Sequence, residues 1–120
     1  MDEYKITFFY STDNKSVPVR EYIDGISWKE RAKILKYIEF LREREGVLDE
    51  PYTKHIQDKI RELRVDFGKQ RHRIFFFTYI GKNIILLHAF LKRTTKTPAS
   101  ETRKALHNYE KILRNPKIYE

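Results

Sequence analysis

The chain has no cysteine, so it can hold neither a disulfide nor a thiolate-ligated metal, a usage that suits a reducing compartment. Its four histidines, His55, His72, His88 and His107, are scattered along the sequence and make a poor metal site. No metal and no cofactor are expected. Glycine and proline are scarce, four of each in 120 residues, and gather into no linker or low-complexity segment. One domain over residues 1–120 is therefore expected. No apolar run approaches the roughly 20 residues of a membrane span. The acidic opening Met1-Asp2-Glu3-Tyr4-Lys5 runs straight into a strand pattern, unlike a signal peptide. The expectation is a soluble cytoplasmic protein without a membrane partner.

Cations and aromatic rings are what the chain has in abundance. Twenty-five Lys and Arg against 17 Asp and Glu give a net charge of +8, a standing attraction to polyanions that does not choose among nucleic acid, ribosome and anionic lipid. Residues 62–98 hold the densest pattern. Arg73-Ile74-Phe75-Phe76-Phe77-Thr78-Tyr79-Ile80, the turn Gly81-Lys82-Asn83 and Ile84-Ile85-Leu86-Leu87-His88-Ala89-Phe90-Leu91 read as a hairpin. Lys92, Arg93 and Lys96 follow before a helix start, a place suited to an anion.

Earlier in the chain, Tyr4 to Tyr10 reads as a strand, and Ser16 with Pro18 opens a brief helix ending near Gly25. Ser27 and Glu30 form a capping box for a longer helix whose apolar residues Trp28, Ala32, Leu35, Ile38 and Leu41 recur at helical spacing. Its charged face, with Lys29, Lys33, Lys36 and Arg42, reads as solvated. Gly46 closes it, and 48–57 reads as a loop. A strand over 60–67 puts Glu62, Arg64 and Asp66 on one face and Leu63, Val65 and Phe67 on the other. The aromatic strand looks buried on both sides, hence central. Thr97 caps a terminal helix with Pro98 in its first position, and Asn115-Pro116 stops it. The order β-α-α-β-β-β-α predicts an α+β domain, a largely antiparallel sheet with the helices on one face and the other face free.

Pairing of the 60–67 strand with the aromatic strand would bring Glu62, Arg64 and Arg73 together, with Lys92 and Lys96 arriving from the last strand. Guanidinium forks fit phosphate oxygens, and clustered cations stabilise a pentacoordinate phosphorus. RNA cleavage through the 2′-hydroxyl is a natural candidate, needing alignment, a base and an acid but no metal. A cross-strand ion pair on a solvated sheet face accounts for the same residues. His88 reads more simply as a semi-buried histidine on an apolar strand, and His72, on the face opposite Arg73, is set aside.

Three ordered stretches carry a resemblance: Ile60-Arg61-Glu62-Leu63-Arg64, His72-Arg73-Ile74-Phe75-Phe76-Phe77, and Leu86 to Pro98, LLHAFLKRTTKTP. In order and spacing the chain resembles the RelE/ParE toxin superfamily, in its HigB-like branch with phage-derived members, whose patterns are ELR, YRIFY and LLHGFxKKTxKTP. The resemblance implies a RelE-like fold and a type II toxin, a metal-free endoribonuclease that cuts mRNA on the 70S ribosome and arrests translation and growth. It implies as partner a cognate antitoxin, HigA-like with a helix-turn-helix, through which alone operator DNA is reached. Arg73 matches the arginine that contacts the scissile phosphate, Arg64 the arginine of ELR, and Lys92 and Lys96 the lysines of the last motif, with Arg93 at a second lysine position. His72 replaces the usual Tyr and Ala89 the usual Gly. The general base varies within the family; Glu62 is the first candidate here and His88 the second. Lys54, Lys59, Arg61, Lys69, Arg71 and Arg93 are expected to meet RNA backbone. The superfamily also holds non-catalytic gyrase poisons of the ParE branch, and a basic phage accessory domain is a further alternative.

Overall fold

The structure is a computed structural model that describes residues 3–119. Five strands form one sheet in the order β1-β5-β4-β3-β2. They are β1 (Lys5–Phe8), β2 (Thr53–Gln57), β3 (Ile60–Phe67), β4 (Gln70–Tyr79) and β5 (Asn83–Leu91). The helices are α1 (Pro18–Asp24), α2 (Trp28–Glu43) and α3 (Ala99–Arg114), and a 3-10 turn over Pro116–Tyr119 closes the described chain. Strands β2 to β5 pair antiparallel in sequence, while β1 lies parallel to β5. The sheet is thus mixed and mostly antiparallel in an α+β fold, as expected.

Two expectations need correction. The 48–57 segment is not all loop: Thr53–Gln57 forms β2, with Lys54 opposite Glu62 and His55 opposite Arg61. An edge strand with only Thr53 buried and most of its other residues exposed needs no apolar periodicity, so the sequence did not mark it. Nor do the helices share one face. Val19 and Ile23 of α1 and Ile34, Ile38 and Leu41 of α2 pack with Leu63, Val65, Ile74, Phe76, Ile84 and Leu86. On the other side, Ala105 and Ile112 of α3 pack with Phe75, Phe77, Ile85, Leu87 and Phe90. A strand apolar on both faces exposes hydrocarbon unless both are covered. Each fully buried Phe of β4 contributes about 1.5–3 kcal/mol through its removal from water, so an uncovered face would be costly.

Local signals explain most element ends. Ser27 Oγ accepts from the Glu30 N–H at 3.3 Å and donates to the Glu30 carboxylate at 2.7 Å, which starts α2. Gly46, at φ 81°, turns the chain out of α2; a Cβ there would stand 2.6 Å from Thr78 Oγ1, a conformation and contact that only glycine accommodates. The buried stripe of α2 is Ile34, Ile38 and Leu41, whereas Trp28 and Leu35 are exposed. Neither Ser16 nor Thr97 caps a helix: the caps are Val17 and Pro98, without side-chain hydrogen bonds. Thr97 has another task, described below.

A bulge in β5 prepares the site. Phe75 opposes His88 but Phe76 opposes Leu86, leaving Leu87 as the extra residue. The insertion shifts the alternation by one, so that His88 and Phe90, like Ile85 and Leu87 before them, serve the α3 side.

Candidate active site

Strand register stacks polar residues in rows on the α3 side of the sheet. Glu62 opposes Phe75, which opposes His88; Arg64 opposes Arg73, which opposes Phe90; Asp66 opposes Arg71. The backbone N–H of Lys92 donates to the Arg71 carbonyl at 2.8 Å, which extends the third row. On β5 the rows end at His88, Phe90 and Lys92, of which Phe90 packs into the α3-side core, and the cations collect at the end of the sheet where β3 and β4 turn.

Glu62 is the centre of this cluster and is wholly buried, at 0% exposure. Its Oε2 accepts from the Thr97 hydroxyl at 3.0 Å. Its Oε1 lies 3.6 Å from Arg64 Nε and 3.9 Å from Arg73 Nε, too far for hydrogen bonds, and these three buried atoms have no hydrogen-bond partner. Each unsatisfied buried polar group costs about 1–3 kcal/mol. Among the described residues the buried side-chain atoms without a partner gather at this one point, which marks a place kept for something other than stability. Arg73, 3% exposed, is held by Asp66 Oδ1 at 2.8 Å and the His72 carbonyl at 2.9 Å. Lys92 is buried as well, and burial pulls its ammonium below the usual lysine range, helped by Arg73, Arg64 and Arg71 and opposed by Glu62.

Behind the site, on the α1 and α2 side, His72 anchors the start of β4. The Tyr22 hydroxyl donates to Nδ1 at 2.6 Å, and Nε2 stands 2.6 Å from Glu30 Oε2. Burial, and then the Glu30 charge, push the Tyr22 phenol up to about 12, so it stays a donor. The bond from Arg73 to the His72 carbonyl ties this anchor to the site.

The structure brings together Glu62, Arg64, Arg73 and Lys92 of the six candidate catalytic residues. Lys96 stands exposed between β5 and α3, next to Thr97. His88 is not in the cluster: its ring lies against Phe75, and its Nε2 is 2.7 Å from Glu101 Oε1 of α3. Burial pulls the His88 ring below its ordinary 6.5, a loss that Glu101 offsets in part and Lys104 reinforces. The folded state therefore binds this proton less readily than the unfolded chain, and stability present above about pH 6.5 is lost as pH falls below it. His88→Gln is expected to flatten part of the drop in urea midpoint between about pH 7.5 and pH 5.5. An unchanged pH slope would contradict it.

Of the candidate RNA contacts, Arg71 is in the third row, and Lys69 and Arg93 stand exposed near it in the β3–β4 turn and after Lys92. Lys54 is exposed beside Glu62 across β2. Arg61 points its guanidinium at the Thr53 hydroxyl, 3.1 Å away, and Lys59 sits in the turn before β3. Five positions separate Lys59 from Arg64, about 16 Å of strand. Asp66 and Thr97 were missed as site residues. Alternation already put Asp66 on the face of Glu62 and Arg64; Thr97 is masked in sequence by its likeness to a helix cap.

Where β3 extends past β2, a cavity of about 260 Å³ adjoins the arginines, lined among others by Lys33, Tyr37, Tyr52, Arg64, Asp66 and Arg73. A larger groove of about 800 Å³ lies away from the cluster, between the β2–β3 turn and α3, where Lys59 and Arg103 are offset by Asp58 and Glu110.

Fold and site thus define an α+β domain that holds a cationic cluster at one end of a sheet. The family model described as Phage derived protein Gp49-like (DUF891) matches residues 21–110, 90 of the 120. The chain belongs to this phage-derived Gp49-like family, which is related to RelE/HigB-type toxins. No curated protein matches it. The matched span contains every residue of the cluster. Among the described residues no helix is long and apolar enough to cross a membrane.

Proposed function

We propose that the protein is a HigB-like toxin, an endoribonuclease that cuts mRNA on the ribosome and is held in check by a cognate antitoxin. The observation that carries this reading is the convergence of Arg64, Arg73 and Lys92 on the buried Glu62, with buried guanidinium N–H groups left unpaired. A scissile phosphate would meet these arginines from the cavity that both of them line. The RNA 2′-oxygen forms a bond to phosphorus while the bond from phosphorus to the 5′-oxygen breaks, leaving a 2′,3′-cyclic phosphate and a 5′-hydroxyl. Arg73 and Arg64 neutralise the charge that builds on the phosphoryl oxygens. Lys92, whose ammonium burial holds below the usual lysine range, would take the proton that leaves the 2′-hydroxyl and return one to the 5′-oxygen. Glu62, walled in by Thr97 and two arginines, acts by positioning them and is a poor base in this geometry. Lys96, Lys69, Arg71 and Arg93 extend the positive field along the RNA.

Expression of the chain in growing bacteria without an antitoxin tests this reading. Growth arrest with new 5′ ends inside translated reading frames is expected. Arrest with intact transcripts and altered plasmid supercoiling would indicate a gyrase poison instead, and absence of arrest would indicate an accessory binding domain.

A further inference from the structure

We infer that the cavity beside Arg64 and Arg73 is a nucleobase-stacking subsite, with Tyr52 as its platform, that seats one unpaired RNA base next to the phosphate held by the arginines. The inference rests on the proposed RNA-cleaving role of that site. Tyr52 is 49% exposed although its backbone is fixed, since its carbonyl accepts from the Arg64 N–H at 2.8 Å. The ring is therefore presented to solvent at a set distance from an arginine of the site. It meets Tyr37 of α2 edge-on, with centroids 6.1 Å apart and planes at 65°, and Tyr37 in turn meets Phe40, 42% exposed, at 6.0 Å. Lys33 and Lys36 place their ammonium groups 5.7 and 5.8 Å from the centres of the Tyr37 and Phe40 rings.

Exposed aromatic faces interleaved with cations are the surface that single-stranded nucleic acid requires, bases on the rings and phosphates on the charges. The edge-on packing braces Tyr52 against Tyr37, and the residue stays half exposed. A volume of about 260 Å³ falls just under the roughly 300 Å³ at which ligand pockets usually begin, which suits one base and not a nucleoside polyphosphate. The exposed Trp28 of α2 also carries a lysine, Lys29, 5.6 Å from its ring centre, but it does not line the cavity that Arg64 and Arg73 share with Tyr52. Selectivity among bases would then arise in this cavity, where Asp66 and the Lys33 ammonium, which donates to the Asp66 carbonyl, supply an acceptor and a donor at the rim.

The test uses the full chain and a single-stranded RNA of about eight nucleotides carrying 2′-O-methyl groups, which cannot be cut, with each base removed in turn. Binding is read by fluorescence anisotropy at low salt. The wild type is expected to lose about tenfold in affinity when one particular base is missing. Tyr52→Ala should show the same loss with intact RNA and no further loss at that position, whereas Tyr52→Phe should bind as wild type. Equal binding by wild type and Tyr52→Ala, binding by neither, or the absence of any base-sensitive position overturns the inference. Loss of binding in Arg73→Ala alone would remove the subsite and leave the phosphate site standing. Loss in Tyr52→Ala alone would keep the subsite and remove the arginines' role. The half-exposed Tyr52 ring makes an unfolded variant unexpected.

Discussion

Arg73→Ala is expected to lower RNA cleavage by about a hundred- to a thousandfold, the usual cost of deleting one preorganised donor to a developing oxyanion. The number follows from the position of the side chain. Arg73 is buried, so its charge acts through little water, and two bonds, to Asp66 and the His72 carbonyl, fix its fork before any ligand arrives. Lysine cannot replace it, because a single ammonium would serve Asp66 or the phosphate and not both. Arg73→Lys should therefore recover less than a tenth of the wild-type rate, a fraction of about one order of magnitude on the scale of one lost hydrogen-bonding fork. The measurement is the single-turnover rate on ribosome-bound mRNA, with circular dichroism to show that the variant is folded. A folded Arg73→Ala variant within about threefold of wild type, well short of the loss of one such donor, would remove Arg73 from the chemistry.

Glu62→Ala is expected to have the largest effect on stability, a loss of about 3–5 kcal/mol, because it leaves buried cations without their counter-charge. Glu62 is 0% exposed, and Arg73 and Lys92 beside it are also buried. Removal of the carboxylate strands the Thr97 hydroxyl as well. Glu62→Gln keeps the shape and an acceptor for Thr97, so it should cost less and separate charge from packing. Urea unfolding gives both values. A loss below about 1 kcal/mol for Glu62→Ala, the size of an exposed ion pair, would show that the arginines do not depend on Glu62. If Glu62 only positions the arginines, Glu62→Gln also keeps part of its activity, whereas an essential base would lose nearly all of it.

Much of this site was legible from residue order. Alternation in β3 put Glu62 and Arg64 on one face, and the β3–β4 hairpin then had to bring Arg73 opposite Arg64. The capping box at Ser27 and Glu30 also formed as written. What failed were readings that needed long-range context. Helix periodicity on α2 fits two stripes that share Ile38 and Leu41, both buried, and only packing on Leu63 and Val65 selects Ile34 over Trp28 and Leu35. Thr97 has the spacing of a cap, yet a buried carboxylate 35 positions away claims its hydroxyl. Strand β2 has no apolar alternation because most of it meets water, with Thr53 its one buried residue. The covering of both sheet faces, by contrast, was implicit in the Phe75-Phe76-Phe77 run: three successive buried rings cannot be served from one side. The bulge at Leu87, which sets the face on which His88 and Phe90 lie, has no mark in the sequence of β5.

The most direct test of the central claim is the chemistry of the RNA ends that the purified protein leaves on ribosome-bound mRNA. Attack by the 2′-oxygen, driven by Arg64, Arg73 and Lys92, predicts a 5′-hydroxyl on the downstream fragment and a 2′,3′-cyclic or 3′-phosphate on the upstream one, with both absent in Arg73→Ala. A 5′-phosphate, or no cut in mRNA that the ribosome is translating, would contradict it.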